Sequence, residues 1–209
     1  MKRLTTSLAT IYTTCTLIVA AREIPVVSPA KAGLSESKLL EVDRFMEKQV
    51  TDQKNAGGIV MVSHNRKIGF FHTYGMMDRE AAKPMKQDTI FRIYSMSKAI
   101  TTAAALQLLD DGKIGLDDPV STYIPSFAML RVAGTDGLRA PIRPMTIRDL
   151  MLHTSGLTYG SGPKALSEAD NRLRPMESVN LAEMAEKLSQ IPLAFDPETD
   201  WIYGVGIDV

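Results

Sequence analysis

The chain has 209 residues, 44% hydrophobic and 23% charged, a globular composition that argues against disorder and suits one domain with room for a second lobe. Lys plus Arg and Asp plus Glu number 24 each, and no basic stripe carries interleaved aromatics, so nucleic acid is not an expected partner. The single cysteine, Cys15, rules out an internal disulfide framework and any Cys-x-x-Cys site, and His64, His72 and His153 lack ligand spacing, so neither metal nor cofactor is expected.

Residues 1–21 carry an export-signal pattern: Lys2 and Arg3, an uncharged run from Leu4 to Ala21, and a cleavage-like Val19-Ala20-Ala21. Thr5, Thr6, Ser7, Thr10, Thr13, Thr14 and Thr16 make that run polar, which argues equally against a membrane-spanning helix. Export to the periplasm or medium and a cytoplasmic location both stay open. Tyr12-Thr13-Thr14 ahead of Cys15 lacks the small and aliphatic residues of a lipoprotein site. Residues 22–34, with Pro25 and Pro29, read as a linker, and 35–209 as the domain.

Ser35 can cap a helix in which Leu39, Leu40, Val42, Phe45, Met46 and Val50 recur at helical spacing. Gly57-Gly58 introduces Ile59 to Val62, a turn at His64 to Lys67, and Ile68 to Phe71, together a β-hairpin that opens an α/β sandwich. Asp78 to Gln87 is charged and turn-like. Ser95 then starts a helix to Leu109 that carries no charge for more than two turns after Lys98, which predicts burial on nearly all sides, and Gly112 lies just past its end. Leu116 to Pro144 reads as an extended connection. Thr146 caps a helix from Ile147 to His153, a polar loop follows, a further helix lies near Leu181 to Gln190, and Pro192 to Thr199 leads into Trp201-Ile202-Tyr203. No internal repeat interrupts this order.

Ser-x-x-Lys occurs four times, at Ser28/Lys31, Ser35/Lys38, Ser95/Lys98 and Ser161/Lys164, so the string alone selects nothing. The first lies in the linker and the last in a glycine-flanked loop, where nothing holds the two side chains together. Ser35 and Lys38 share an amphipathic helix on which the lysine stays hydrated. Only Ser95 starts an apolar helix, where residues three apart are neighbours and burial lowers the pKa of a lysine, raising its proton-accepting fraction. Free N–H groups and the positive dipole end at such a terminus favour an oxyanion. The structural alternative is an N-capping serine beside a lysine that reaches to solvent.

Phe91-Arg92-Ile93-Tyr94-Ser95-Met96-Ser97-Lys98, followed by an apolar helix, Asp110-Asp111-Gly112-Lys113 and Leu116-Asp117-Asp118-Pro119-Val120, resembles the β-lactamase-related serine hydrolases, which include class C β-lactamases, penicillin-binding proteins and esterase-like members. Ile147 to Leu157, with His153-Thr154-Ser155-Gly156, adds to the resemblance, which runs from about Leu34 to the last residue. It implies an α/β (α+β) fold: an antiparallel sheet sandwiched with helices, plus a helical lobe. It also implies Ser95 as nucleophile, Lys98 as its partner, and an architectural role for His153 at the border of the cleft. Trp201-Ile202-Tyr203-Gly204-Val205 is similar to the family's Tyr-x-Asn segment with the tyrosine kept, which makes Tyr203 the candidate base. A tyrosine titrates near ~10 when unperturbed, so it serves at neutral pH only where Lys98 and a further cation stabilise its phenolate. A tyrosine beside the chain's one tryptophan has a core aromatic as its plainer reading. Val205 stands where lactamase members have an Asn that contacts the substrate amide, and this leans towards esters.

The resemblance further implies a late strand with Lys-Thr-Gly or His-x-Gly that supplies a second oxyanion N–H. No such segment precedes Val209, so the sequence reads as C-terminally truncated. The expectation is a small-molecule ester or lactam substrate attacked by Ser95, with β-lactamase or D-amino peptidase chemistry as alternatives. A non-catalytic remnant is the reading from another class. Nothing in the sequence sets an oligomeric state.

Overall fold

The computed structural model describes residues 23–209, which form two compact units dividing after Phe91. The expected export signal lies outside the described residues.

In the unit ending at Phe91, a short helix α1 (Pro29–Ala32) and a long one, α2 (Glu36–Thr51), precede strands β1 (Gly57–His64), β2 (Lys67–Asp78) and β3 (Lys83–Pro84), ordered β1-β2-β3 in one antiparallel sheet. The segment expected as a linker is tied down instead. Val27 N–H donates to the Ile68 carbonyl and Ile68 N–H to the Pro25 carbonyl, both at 2.9 Å, and Ala32 is buried. Proline removes only its own donor, so the residues between Pro25 and Pro29 remain free to pair.

On α2, Leu39, Val42, Met46 and Val50 recur three and four apart and turn inward, Met46 and Val50 meeting the strands at Gly58 and Gly75. Leu40 and Phe45, expected on the same face, point outward. The hairpin turns at Asn65 and Arg66, both at positive φ (50° and 56°), the backbone shape whose twist suits a two-residue connection between antiparallel strands. The strands run past their apolar centres because alternate residues of β2 continue to face α2. The Tyr74 hydroxyl donates to Asp43 Oδ1 at 2.5 Å, and His72 Nδ1 lies 2.8 Å from the same oxygen.

The unit from Arg92 holds α3 (Ser97–Asp110), a small hairpin of β4 (Val132–Gly134) and β5 (Gly137–Arg139), then α4 (Ile147–Leu152), α5 (Lys164–Leu173) and α6 (Leu181–Ser189). Val120, Val132, Leu150, Leu166, Leu188 and Leu193 anchor its core. Helix α5 replaces the expected polar loop after Ser155. Most of its residues are polar, and only the stripe Leu166, Ala169 and Leu173 faces the core, too sparse to stand out from the surrounding loop text. Helix α6 matches its expected span, with Asn180 accepting from the Glu183 N–H at 2.9 Å as N-cap.

Helix α3 corrects a second expectation. Its only fully buried residue is Lys98, while Ile100, Leu106 and Leu108 are exposed. Apolar residues on every side of a helix show that it can be covered all round. Coverage itself depends on neighbouring elements, which the periodicity of one helix does not encode. The mixed α/β class with antiparallel strands is the one expected, and no helix among the described residues is long and apolar enough to cross a membrane.

Candidate active site

A dense set of hydrogen bonds fixes the start of α4. Thr146 is its N-cap: its hydroxyl accepts from the Asp149 N–H, and the Asp149 carboxylate takes the Thr146 N–H at 2.8 Å, closing a capping box. Asp149 is 1% exposed and accepts also from Arg143 through two bonds of 2.8 Å and from the Thr154 hydroxyl at 3.0 Å. Burial pushes its carboxyl up, but Arg143 and the Thr146 and Thr154 donors outweigh that and hold it below the ordinary carboxylate value. A second anchor joins Asp196 to Arg139 and the Ile142 N–H. The Arg139 guanidinium brings the Asp196 carboxyl down to about 2.

This frame fixes the turn that ends α4. His153 takes the left-handed conformation at φ 60°, and Gly156 follows at φ 81°, where an added Cβ would lie 2.5 Å from the Phe195 carbonyl oxygen. The Trp201–Gly204 segment rests on that turn. The His153 carbonyl accepts the Ile202 N–H at 3.1 Å, and its Nδ1 accepts the Gly204 N–H at 3.4 Å. Gly204 must lack a side chain, since a Cβ there would lie 2.2 Å from the Leu157 carbonyl oxygen. Tyr203, between these contacts, is 42% exposed with its ring 4.7 Å from that of His153.

Ser95 occupies the middle of a 3-10 turn, Tyr94–Met96, so α3 proper starts two residues later than expected. Tyr94 enters this turn at φ 45°, uncommon for a residue with a Cβ. The Met96 N–H donates to the Ile93 carbonyl and the Ser97 N–H to that of Tyr94, so these two groups are engaged within the turn and are not the free donors anticipated beside the serine. Ser95 itself is exposed.

Lys98 points into the unit. Its Nζ donates to Tyr159 Oη at 2.9 Å and to Asp208 Oδ2 at 2.5 Å. The same nitrogen stands 5.6 Å from the ring centre of Tyr159 and 5.7 Å from that of Tyr203, close enough for a cation to be drawn to both π faces. Burial pushes the ammonium's pKa down, as expected from sequence. The hydrogen bonds it donates to Asp208 and Tyr159, with the Asp208 charge, outweigh it, and the net displacement is upward. Lys98 is therefore a held cation, which corrects the expectation of a lysine poised to accept a proton. Lys98 and Tyr203 are thus brought together, whereas no hydrogen bond joins Ser95 to either.

Tyr159 and Asp208 carry no local sequence signal that ties them to Lys98. Tyr159 lies in a polar loop, and Asp208 ends the short Val205–Asp208 turn 110 residues after its partner. No local spacing relates them to Lys98. A carboxylate for a buried lysine could have been sought on general grounds, though not assigned.

The chain is 31% identical over 190 residues to esterase EstB of Burkholderia gladioli, covering 88% of this chain and 46% of that protein. It is 28% identical over 196 residues to the ML-236A carboxylate methylbutanoyltransferase mlcH of Penicillium citrinum, covering 87% and 46%. The solved structure of EstCE1, described as a hydrolase with promiscuous acyltransferase activity, superposes with a TM-score of 0.70 at 31% identity, over 82% of this chain and 45% of that one. The chain thus spans about half the length of the curated relatives it matches. With the Beta-lactamase family model matching residues 42–206, the chain belongs to that family, the β-lactamase-related serine hydrolases.

Proposed function

We propose that this chain carries the nucleophile and proton-transfer residues of a serine hydrolase that acts on carboxylic esters. The observation that carries the reading is Lys98, three residues after Ser95, buried as a cation against Tyr159, Tyr203 and Asp208. The Ser95 Oγ bonds to the acyl carbon while its proton passes to the Tyr203 phenolate. The ester C–O bond then breaks, and the departing alcohol takes that proton from Tyr203. Water repeats the exchange and carries the acyl group away as a carboxylic acid. Lys98 stays protonated throughout, its Nζ 5.7 Å from the centre of the Tyr203 ring, and the reading requires Tyr203 to enter the cycle as its phenolate.

Val205 favours esters over lactams. Its side chain is turned into the core at 1% exposure, so it presents no polar group to a substrate amide. The names of EstB and EstCE1 support the same choice, and that of mlcH supports an acyl group that can also pass to an alcohol other than water.

Intact-mass measurement after incubation with a fluorophosphonate, p-nitrophenyl butyrate or a penicillin tests this. A covalent adduct is expected on the chain and not on Ser95→Ala, with the ester consumed faster than the penicillin. An unmodified Ser95 in a folded sample would overturn the reading in favour of a non-catalytic protein. Faster reaction with penicillin would move the substrate class to β-lactams.

A further inference from the structure

Tyr203 is exposed, and its backbone is gripped from one residue. The His153 carbonyl accepts the Ile202 N–H at 3.1 Å, immediately before the tyrosine, and the His153 imidazole accepts the Gly204 N–H at 3.4 Å, immediately after it. Its ring packs on the phenol with centroids 4.7 Å apart and meets Trp201 edge-on at 6.2 Å. An amide hydrogen can be accepted at Nδ1 only if that nitrogen carries no proton, so the ring is the neutral Nε2–H tautomer. Burial, with the charge of Lys98 nearby, pushes the His153 pKa below its ordinary value, and Asp208 opposes this only in part. The neutral ring is thus the form its surroundings favour.

A side chain merely filling the turn would not need a particular nitrogen at the amide that follows the tyrosine, nor a ring packed against the phenol. We propose that His153 is the positioning residue of Tyr203. Its carbonyl and Nδ1 fix the backbone on either side of the tyrosine, and its ring sets the plane of the phenol. This rests on the reading that Tyr203 exchanges a proton with Ser95. A phenol displaced by about 1 Å from its productive place lowers turnover by roughly 10²-fold while leaving substrate binding largely intact.

Two substitutions separate the acceptor from the backbone shape. Glycine accepts the left-handed conformation readily but has no side-chain acceptor, whereas asparagine tolerates that conformation and places Oδ1 near the position of Nδ1. His153→Gly is expected to fold, to lose hydrogen-exchange protection at the Gly204 amide, and to acylate Ser95 about 10²-fold more slowly at an apparent KM within about twofold of the parent. His153→Asn should restore the protection and recover the rate to within about fivefold. Acylation of His153→Gly at the parent rate would overturn the proposal, as would His153→Asn falling as far as His153→Gly. Should neither the parent nor any variant acylate, the ester reading fails by itself. The exchange measurement then decides: equal Gly204 protection in parent and His153→Gly overturns the grip, and its selective loss upholds it.

Discussion

Ser95 and Tyr203 lie in one unit of the molecule, yet they are secured by opposite means. Tyr203 follows a frame in which a carboxylate 1% exposed accepts from Arg143, Thr146 and Thr154, a capping box starts the helix, and a glycine admits no side chain. Ser95 sits on an exposed turn ahead of α3, a helix with no capping side chain and with Ile100, Leu106 and Leu108 open to solvent. Lys98 is the link, since it leaves α3 and ends against Tyr159 and Asp208. Polar networks of high local satisfaction thus hold the candidate base, while the proposed nucleophile depends on one buried cation and on what covers its helix.

That contrast is tested most severely at Asp149. Asp149→Ala strands Arg143 and the donors of the α4 cap, so it should cost about 3–5 kcal/mol by denaturant titration. A loss below about 1 kcal/mol would dissolve the distinction between the two regions. Asp208→Asn attacks the link instead. With the carboxylate gone, only Tyr159 opposes the burial that depresses Lys98, so the alkaline limb of the acylation rate should move to lower pH, with a loss of roughly tenfold on the alkaline side. An unmoved limb would mean that Asp208 does not control the charge of Lys98.

Smaller effects sharpen the same point. Thr146→Ala removes one cap and should cost about 1 kcal/mol in thermal or chemical melts. Leu106→Gln, on the bare side of α3, should stay within about 0.5 kcal/mol. Acid should dismantle the frame by the same logic. Asp149 and Asp196 titrate lower in the folded state than the ~3.9 of an unfolded aspartate, so their contribution is complete above that value. It is lost as pH falls through the folded values, about 2 for Asp196, and acid melts of Arg139→Gln should show the Asp196 share gone.

Much of this was legible in the sequence because it is local. The α2 stripe, the hairpin turn, the Thr146 cap and the span of α6 each follow from residues a few positions apart. The sites of failure were nonlocal. The strand-like pairing of residues 25–27 depends on Ile68, the exposure of α3 on elements outside its own periodicity, and the charge of Lys98 on a carboxylate 110 residues away. Helix α5 was hidden for a different reason: three apolar residues suffice to dock it, and three do not stand out from a polar loop. Lys98 is buried, as its apolar neighbours suggest, and its electrostatics run opposite to the expectation, because burial is inferable from apolar neighbours and a distant counter-charge is not.

The edge-on contact between Trp201 and His153 has an optical consequence. Trp201 is the only indole in the chain, and imidazolium quenches indole emission more strongly than imidazole does. The protein therefore carries its own fluorophore beside the ring that grips the candidate base. A plain emission titration would report the protonation of His153 directly, without label, substrate or turnover.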